Sequence, residues 1–413
     1  MAQDFSQRGF VEMQSLGFPQ SAPNDAGQAI GETLFRYEAF YKLQSGWRFA
    51  GSVDARTDTH RQDDRTLHLS WWDREVRRPA FEVRRLSASY HRGPLTLELG
   101  KQFIRWGKAD ILNPTDRFAP RDFLNVVHND FLAVPAAHLT YERGDDTVEL
   151  VWQPRFTPAR IPLLNQRWVV LPQNPPAGLR IVDAGARYPG GSEYGARWNH
   201  VGRGFEYSLS FYDGFNYLPL LATSVAPPGP LESGSAVTPP VSAGVPPAAP
   251  AVLFQRFYPQ MRMYGGDAAL PLKPFTIKAE AGYFTSSTPQ ADDYALYVVQ
   301  LEKQRGEWVF VGGYAGEAVT RSRSALNFAY DRGLARAFLG RATYNIDTNR
   351  SVAFEAAIRQ NGDGSWLKAE YSQAFGQHWR ATAGLTVIRG APGDFLGQYR
   401  RNSHATLTLR YSF

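Results

Sequence analysis

A dense run of charged residues lies between positions 108 and 122, mixed with turn-forming and aromatic residues. Its charged members are Lys108, Asp110, Asp116, Arg117, Arg121 and Asp122. Cations and carboxylates this close together can bind and orient ions and polar solutes through charge-assisted hydrogen bonds. The run therefore predicts a place where ions and polar solutes contact the chain.

Sequence signatures of catalysis do not occur in the chain. The 8 histidines are scattered, and the chain contains neither an HExxH nor a GxSxG pattern. The run 128–130, His-Asn-Asp, is only a weak signal. There are no cysteines, which excludes disulfides and cysteine-based metal sites. We predict no enzymatic activity, no metal, no cofactor and no nucleic-acid partner.

Many segments of the chain alternate between apolar and polar residues. Odd positions of 205–211 are large and apolar whereas even positions are polar, and 275–283 and 352–359 repeat this pattern. A period of two is typical of a β-strand with one apolar face. The predicted strands are 9–18, 31–43, 46–58, 80–91, 94–106, 135–144, 146–154, 192–201, 204–216, 254–269, 274–286, 292–303, 306–318, 334–346, 349–361, 366–375, 378–389 and 402–413.

The connections between these predicted strands alternate in length. Short turns such as 92–94, 144–145 and 376–377 alternate with longer loops such as 107–134 and 155–191. Bacterial outer-membrane barrels combine short periplasmic turns with long extracellular loops in this way. The sequence therefore predicts one domain over residues 1–413. Its predicted fold is an all-β, transmembrane, antiparallel up-and-down β-barrel of about 18 strands.

Composition and the chain ends are consistent with a barrel in the bacterial outer membrane. No apolar stretch approaches the roughly 18 residues that a membrane helix needs. Aromatic residues make up 14% of the chain, and barrels concentrate them at membrane interfaces. The terminal strand alternates and ends on Phe413, which resembles the signal read by the barrel-assembly machinery, a predicted partner. The sequence opens without the basic and apolar segments of a signal peptide. Since an outer-membrane barrel must be exported, we expect the full gene product to carry a signal peptide that is cleaved off.

If the apolar faces meet lipid, the polar faces line the lumen. The predicted lumen-lining cations are Arg36, Arg48, Arg56, Arg84, Arg197, Arg262, Lys278, Arg341, Arg359, Lys368, Arg380 and Arg410. Carboxylates on the same faces nearly balance them. Two interpretations stay open: charges that pair across neighbouring strands on a wet wall, or an arginine ladder that guides anions.

About eighteen strands enclose a lumen that side chains of the wall alone do not fill. We predict that the loop near 107–134 folds inward as a pore constriction, with the six charged residues of 108–122 at the narrow point. The alternative is a compact surface loop held by its own ion pairs. Loop 155–191 carries apolar runs at 161–164 and 168–171, which predict a lid or a contact with lipid or a partner. The Pro/Ala-rich loop near 217–253 is predicted to be an extended outer loop.

The stretch 100–107 reads Gly-Lys-Gln-Phe-Ile-Arg-Trp-Gly and is followed by Asn-Pro-Thr-Asp at 113–116. It resembles a motif of alginate-export-type and related porin-like barrels of Gram-negative bacteria, with Lys101 in place of the family's arginine. The resemblance implies a passive conduit. In the alginate exporters it also implies an arginine-lined pore for an acidic polysaccharide.

Two functions fit these features. The first is a porin-like channel for passive passage of small polar or anionic solutes. The second is an exporter of an acidic exopolysaccharide or lipid, which would need a periplasmic partner. Either protein would contact outer-membrane lipid and lipopolysaccharide.

Overall fold

The computed structural model describes residues 4–170, 180–226, 251–323 and 330–413. Eighteen strands form a closed antiparallel barrel, in which neighbours along the chain pair and the last strand returns to the first. The strands are β1 Asp4–Gly17, β2 Ala29–Lys42, β3 Trp47–Asp58, β4 Phe81–Arg92, β5 Leu95–Gln102, β6 Val134–Arg143, β7 Asp146–Gln153, β8 Glu193–Gly202, β9 Phe205–Phe215, β10 Gln260–Pro271, β11 Thr276–Thr285, β12 Asp293–Arg305, β13 Trp308–Arg321, β14 Ala337–Asn345, β15 Arg350–Arg359, β16 Gly364–Phe375, β17 Trp379–Gly390 and β18 His404–Ser412. The predicted fold class is confirmed.

The alternating sequence pattern places apolar side chains on the outside of the barrel. On β9, Leu209 is 60% exposed whereas its neighbour Ser208 is 2% exposed. Successive side chains of a strand point to opposite faces. The apolar positions of the pattern therefore face lipid, and the polar positions face the lumen. Because the barrel is closed, none of its described strands has a free edge of unpaired N–H and C=O groups. The hydrocarbon core of a bilayer could not provide hydrogen-bond partners for such groups.

The two ends of the barrel differ. Both described termini and the short turns lie at one end, and several of these turns place a glycine at positive φ, including Gly93, Gly144, Gly306 and Gly376. Aromatic pairs such as Trp47–Tyr90 and Trp379–Tyr411, each 5.0 Å between ring centroids, lie near these turns. Such a girdle is typical of a membrane interface. The long loops lie at the opposite end.

Three predicted strands differ from the structure by four residues or more at a boundary. The predicted strand 94–106 ends at Gln102, because the chain turns into the lumen there. β1 begins at Asp4 rather than at residue 9, because it pairs along its whole length with β2, from Asp4 opposite Lys42 onward. The predicted strand 254–269 divides at Pro259, which has no N–H for a ladder hydrogen bond. Residues 251–257 instead join 180–187 and 220–226 in a separate three-stranded sheet.

The long loops contain little other regular structure. Leu69–Ser70 adds to the barrel sheet beside β4, and Arg121–Asp122 pairs with Asp130–Phe131. Gly397–Asn402 forms a 3-10 turn. Across the described ranges, no helix is long and apolar enough to cross a membrane.

Part of the lumen is filled by a packed apolar core. The loop 103–133, between β5 and β6, lies inside the barrel against the inner wall. Its apolar side chains pack against inward-facing residues of the wall, and the buried cluster contains Ile104, Trp106, Phe118, Val134, Val151, Tyr212, Met261, Met263, Phe284 and Leu296. The loop therefore occupies space that would otherwise be open water.

Candidate functional site

The chain leaves the barrel wall at the end of β5 through a glycine and two buried polar residues. Gly100 has φ +117°, and a Cβ atom there would lie 2.3 Å from the carbonyl oxygen of Leu86. The Gln102 amide donates to the Ala136 carbonyl of β6 at 3.0 Å. These contacts end the strand and direct the following residues into the lumen.

Inside the lumen, the loop is folded by its own polar groups. One carboxylate oxygen of Asp116 accepts hydrogen bonds from the backbone N–H groups of Trp106 (2.6 Å) and Gly107 (2.8 Å). The Asn113 side chain donates to the carbonyl of Ala109. The residues that carried the family resemblance therefore act together to form this turn.

One carboxylate on the wall accepts four hydrogen bonds from the loop. Glu280 of β11 is 2% exposed and accepts hydrogen bonds from the backbone N–H groups of Lys108 (3.0 Å) and Ala109 (3.1 Å). It also accepts from the N–H and the hydroxyl of Thr115, both at 2.8 Å. Charge-assisted hydrogen bonds of this kind are the strong ones, so Glu280 fixes the depth of the loop in the lumen.

The first predicted constriction residues pair with the wall. Lys108 Nζ lies 2.5 Å from Glu206 and 3.2 Å from Asp267. Asp110 lies 3.0 Å from Lys278 Nζ and remains partly exposed. Both residues therefore join the loop to strands on one side of the barrel.

Three other predicted constriction residues, Asp116, Arg117 and Asp122, are buried. Arg117 pairs with Asp331 at 3.3 Å, and Asp122 accepts from Arg78 Nε at 2.8 Å. Paired in this way, the three side chains hold the loop, and Asp122 and Arg117 also reach the linings of the lumenal cavities.

Other residues of the loop border open space as well. The guanidinium of the remaining predicted residue, Arg121, lies 4.3 Å from the ring centroid of Phe131, and that of Arg105 lies 4.1 Å from the same ring. His128 lines two separate lumenal cavities. Arg105, His128 and Phe131 were not predicted from the sequence, and the one signal that pointed to this region was the polar run 128–130.

The first lumenal cavity, of about 110 Å³, is strongly charged. The wall contributes Arg36, Arg56 and Arg84, and the loops contribute Arg78 and Arg160. Carboxylates also line it, so the cavity holds charges of both signs.

The second cavity, of about 360 Å³, lies on the other side of His128. Its lining combines charged and aromatic side chains, including Arg341, Glu355, Lys368, Tyr330, Trp366 and Tyr399. It can contact both the polar and the apolar part of a solute.

Most of the predicted lumen-lining cations face inward, and many are paired. Arg36 and Arg56 both contact Asp54, at 2.7 and 2.8 Å, and Arg341 lies 2.8 Å from Glu355. The inward-facing members are Arg36, Arg48, Arg56, Arg84, Arg197, Lys278, Arg341, Arg359, Lys368, Arg380 and Arg410. Many inward-facing cations are therefore neutralised by carboxylates of the wall, as the first of the two interpretations expects.

Arg262 is a correction, because it lies on the outer face of β10. Its neighbours Met261 and Met263 are buried inside the barrel, and Arg262 pairs with Asp213 at 2.8 Å. The prediction assumed that every inward face is polar. Here the inward faces of β9 and β10 pack against the loop, so apolar side chains point in and the ion pair points out.

A buried ion pair secures the start of the loop. Lys101 Nζ lies 2.6 Å from Asp73, which is 0% exposed, and Asp73 also pairs with Arg160 at 2.8 Å. Replacing Lys101 with methionine leaves Asp73 short of one cation. We expect the free energy of unfolding to fall by about 3–5 kcal/mol, as for other broken buried pairs. Urea unfolding in detergent measures this free energy. The control variant Lys101→Arg keeps the positive charge and should retain most of the stability. Equal loss of stability in both variants would contradict a stabilising ion pair between Lys101 and Asp73.

Loop 59–80, outside the membrane-spanning strands, contains a pH-sensitive carboxyl. Burial raises the pKa of Asp63 to about 7, although Arg78 and Arg56 oppose this and Asp58 and Glu32 reinforce it. The folded state therefore binds a proton at Asp63 more tightly than the unfolded state does. The free energy of unfolding should rise as the pH falls through 7, because the buried charge is then neutralised. We expect the difference in unfolding temperature between wild type and Asp63→Asn to shrink between about pH 8 and pH 5. A difference that does not change with pH would refute this.

The described part of loop 155–191 lies across the barrel mouth. Trp168 packs against Tyr399 at 5.7 Å between ring centroids, and the Arg167 guanidinium lies 3.6 Å from the Phe18 ring centroid. Asn24 donates to the Leu164 carbonyl at 3.0 Å. This segment therefore bridges from β7 to the loops beside β1 and β18. Position 171 of its second apolar run, and residues 227–250 of the predicted Pro/Ala-rich loop, lie outside the described residues.

A search of the described residues finds no group of three or more histidine, aspartate or glutamate side chains placed to hold a metal ion.

Comparison with known proteins identifies the fold. No sequence family matches the chain, and no curated protein matches it significantly in sequence. Among solved structures, Pseudomonas aeruginosa OpdQ is 10% identical with a TM-score of 0.53, covering 100% of this chain and 98% of its own. A BenF-like porin from Pseudomonas fluorescens Pf-5 is 9% identical with a TM-score of 0.56, also covering 100% and 98%. Acinetobacter baumannii OccAB4 is 9% identical with a TM-score of 0.53, covering 99% and 98%. The chain has the fold of outer-membrane porins.

Proposed function

We propose that this chain is an outer-membrane channel for the passive passage of small polar or anionic solutes, and not an enzyme. The observation that carries the proposal is a closed barrel with an apolar exterior and a charged lumen, narrowed by an internal loop. A channel needs these parts and no others. The likeness of the fold to that of a BenF-like porin supports the same class.

We propose that loop 103–133 is the constriction and that its charged residues divide into two roles. Lys108, Asp116, Arg117 and Asp122 brace the loop through their ion pairs and hydrogen bonds. Asp110 and Arg121 line the second cavity, as does His128, which was not predicted from the sequence. Solutes would pass the narrow point beside His128.

Unpaired guanidinium groups favour anions at this narrow point. Within the described ranges, neither Arg84 nor Arg121 has a carboxylate within 4 Å, and each instead lies over an aromatic ring. Most acidic groups nearby are already paired with arginine or lysine. The free positive charge is therefore concentrated where the ends of loop 103–133 meet the wall.

Solute flux into proteoliposomes tests this proposal. We expect a small organic anion such as gluconate to enter faster than a neutral sugar of similar size, and a tetrasaccharide to be excluded. Protein-free liposomes are the control. Failure of every solute to enter faster than in that control would reject the channel function.

The proposal also places the protein in the outer membrane. The C-terminal strand supports recognition by barrel-assembly machinery, because Phe413 lies at the end of an alternating strand and its backbone pairs with Gly9 at 2.9 Å. Fractionation of cells producing the full gene product should recover it with outer-membrane markers, in contact with lipid and lipopolysaccharide.

The alternative, an alginate-type exporter of an acidic polysaccharide or lipid with a periplasmic partner, is favoured by the same unpaired arginines. The two functions predict different blockers. Acidic oligosaccharides of several sugars should thread an export pore and block its current at lower concentration than the monosaccharide. Equal block by oligomer and monomer favours the passive channel.

A further inference from the structure

A segment of loop 59–80 runs along the outer rim at the long-loop end of the barrel. Leu69 pairs with Phe81 at the start of β4, and both side chains are exposed on the outer face, Leu69 at 63%. Four residues later, Asp73 reaches Lys101 at the end of β5. The segment therefore follows the rim from strand to strand and presents apolar side chains outward.

The rim segment ends beside an exposed arginine. The Arg155 guanidinium lies 4.1 Å from the ring centroid of Trp72, a residue that is itself two-fifths exposed. No carboxylate of the described chain lies within 4 Å of Arg155. An unpaired guanidinium offers several donors in a geometry that matches phosphate. Tryptophan beside it is typical of the boundary between acyl chains and head groups.

An apolar groove lies on the outer wall in the same sector of the barrel. It crosses strands β5 to β9, its lining is almost wholly apolar, and it includes Leu97, Ala137, Leu150, Trp152, Tyr194, Ala196 and Phe211. Alanines form a low floor between larger side chains, which leaves room for a chain of methylene groups. Trp152 precedes Arg155 by three residues, so the groove and the guanidinium are within roughly 10 Å along the extended chain.

We propose that this groove and rim bind one phosphorylated glycolipid of the outer leaflet, that is, a lipopolysaccharide molecule. An acyl chain occupies the groove, and a phosphate accepts hydrogen bonds from Arg155 while Trp72 packs against the sugar. Charge complementarity selects an anionic lipid, and the position at the long-loop end selects the outer leaflet. This inference rests on the proposed outer-membrane function.

Native mass spectrometry of the whole protein in mild detergent tests the site, with purified lipopolysaccharide and phosphatidylglycerol as probes. We expect one lipopolysaccharide to bind the wild type in preference to phosphatidylglycerol. The double variant Arg155→Ala/Trp72→Ala should reduce its bound fraction at least tenfold. Ala196→Phe fills the groove without changing charge and should reduce it several-fold. Arg401→Ala, an exposed arginine elsewhere on the rim, is the matched control and should bind normally.

Three results would overturn the proposal: equal binding of the two lipids, unchanged binding in both test variants, or a dimer whose formation Ala196→Phe abolishes. The variants lie on the outer wall and rim, so normal migration of the heat-modifiable folded barrel on gels shows that they fold. Conductance in lipopolysaccharide-free bilayers measures the channel function separately. A conducting protein that binds no lipopolysaccharide would reject this inference alone.

Discussion

Glu280→Ala is expected to raise single-channel conductance by at least about twofold, because the constriction loop would lose its anchor. The carboxylate accepts three backbone hydrogen bonds and one hydroxyl hydrogen bond from the loop. Hydrogen bonds to a charged group contribute about 1.5–3 kcal/mol each, so their joint loss outweighs most other single changes in the lumen. The freed loop should also increase open-channel noise.

The conservative variant and a distant variant make this prediction specific. Glu280→Gln keeps one acceptor oxygen and should give an intermediate conductance. Glu38→Gln, which changes a lumenal carboxylate that is paired with Arg8 and lines neither cavity, should leave the conductance near that of wild type. Equal conductance in wild type and Glu280→Ala, with the barrel folded, would show that the loop does not limit the current.

Reversing the charge of Arg105 and Arg121 together should give the largest change in ion selectivity. Both guanidinium groups lie over Phe131, where the two ends of loop 103–133 meet the wall. A unit charge about 5 Å from an ion contributes roughly 0.8 kcal/mol in water, and the double change to glutamate alters the local charge by four units. We expect the anion-to-cation permeability ratio to fall by about tenfold at low salt.

The reversal potential under a salt gradient measures this ratio. The effect should decrease strongly at about 1 M salt, where the Debye length is about 3 Å. The double variant Arg48→Glu/Arg380→Glu, near the short turns on β3 and β17, is the control because it places the same four-unit charge change away from Phe131. A shift as large in the control as in the variant of Arg105 and Arg121 would mean that selectivity is distributed along the lumen.

The barrel itself could be predicted because its signals are local. Segments such as 205–211 contain both the apolar outer face and the polar inner face within a few residues. Turn lengths then fix the antiparallel order, since short turns join adjacent strands. The division at Pro259 was missed because apolar alternation continues on both sides of it, although the chain leaves the barrel there.

The interior of the barrel could be predicted only in part. The charged run pointed to the loop, but not to which charges would be buried by partners distant in the sequence, such as Asp331 for Arg117. Glu280 gave no signal of its own, because its role depends on backbone groups of a loop more than 160 residues earlier. Arg262 was predicted on the wrong face of β10. The inner face of this strand is apolar because it packs against the loop, and alternation alone does not show which face points inward.

The resemblance motif shows the same limit. Its residues predicted a porin-like barrel, and the structure gives them a local role in turning the chain into the lumen. Lys101, the departure from the family's pattern, still pairs with a buried carboxylate. None of these contacts identifies a solute. The motif therefore predicts the architecture of the protein but not what it transports.

Single-channel recording of the refolded wild-type protein in a planar lipid bilayer tests the central claim most directly. The account predicts stable current steps and, under a salt gradient, a reversal potential of the sign that indicates anion preference. A folded barrel that conducts no current would contradict the proposed channel. Stable steps with cation preference would contradict the assignment of the unpaired arginines to the narrow point.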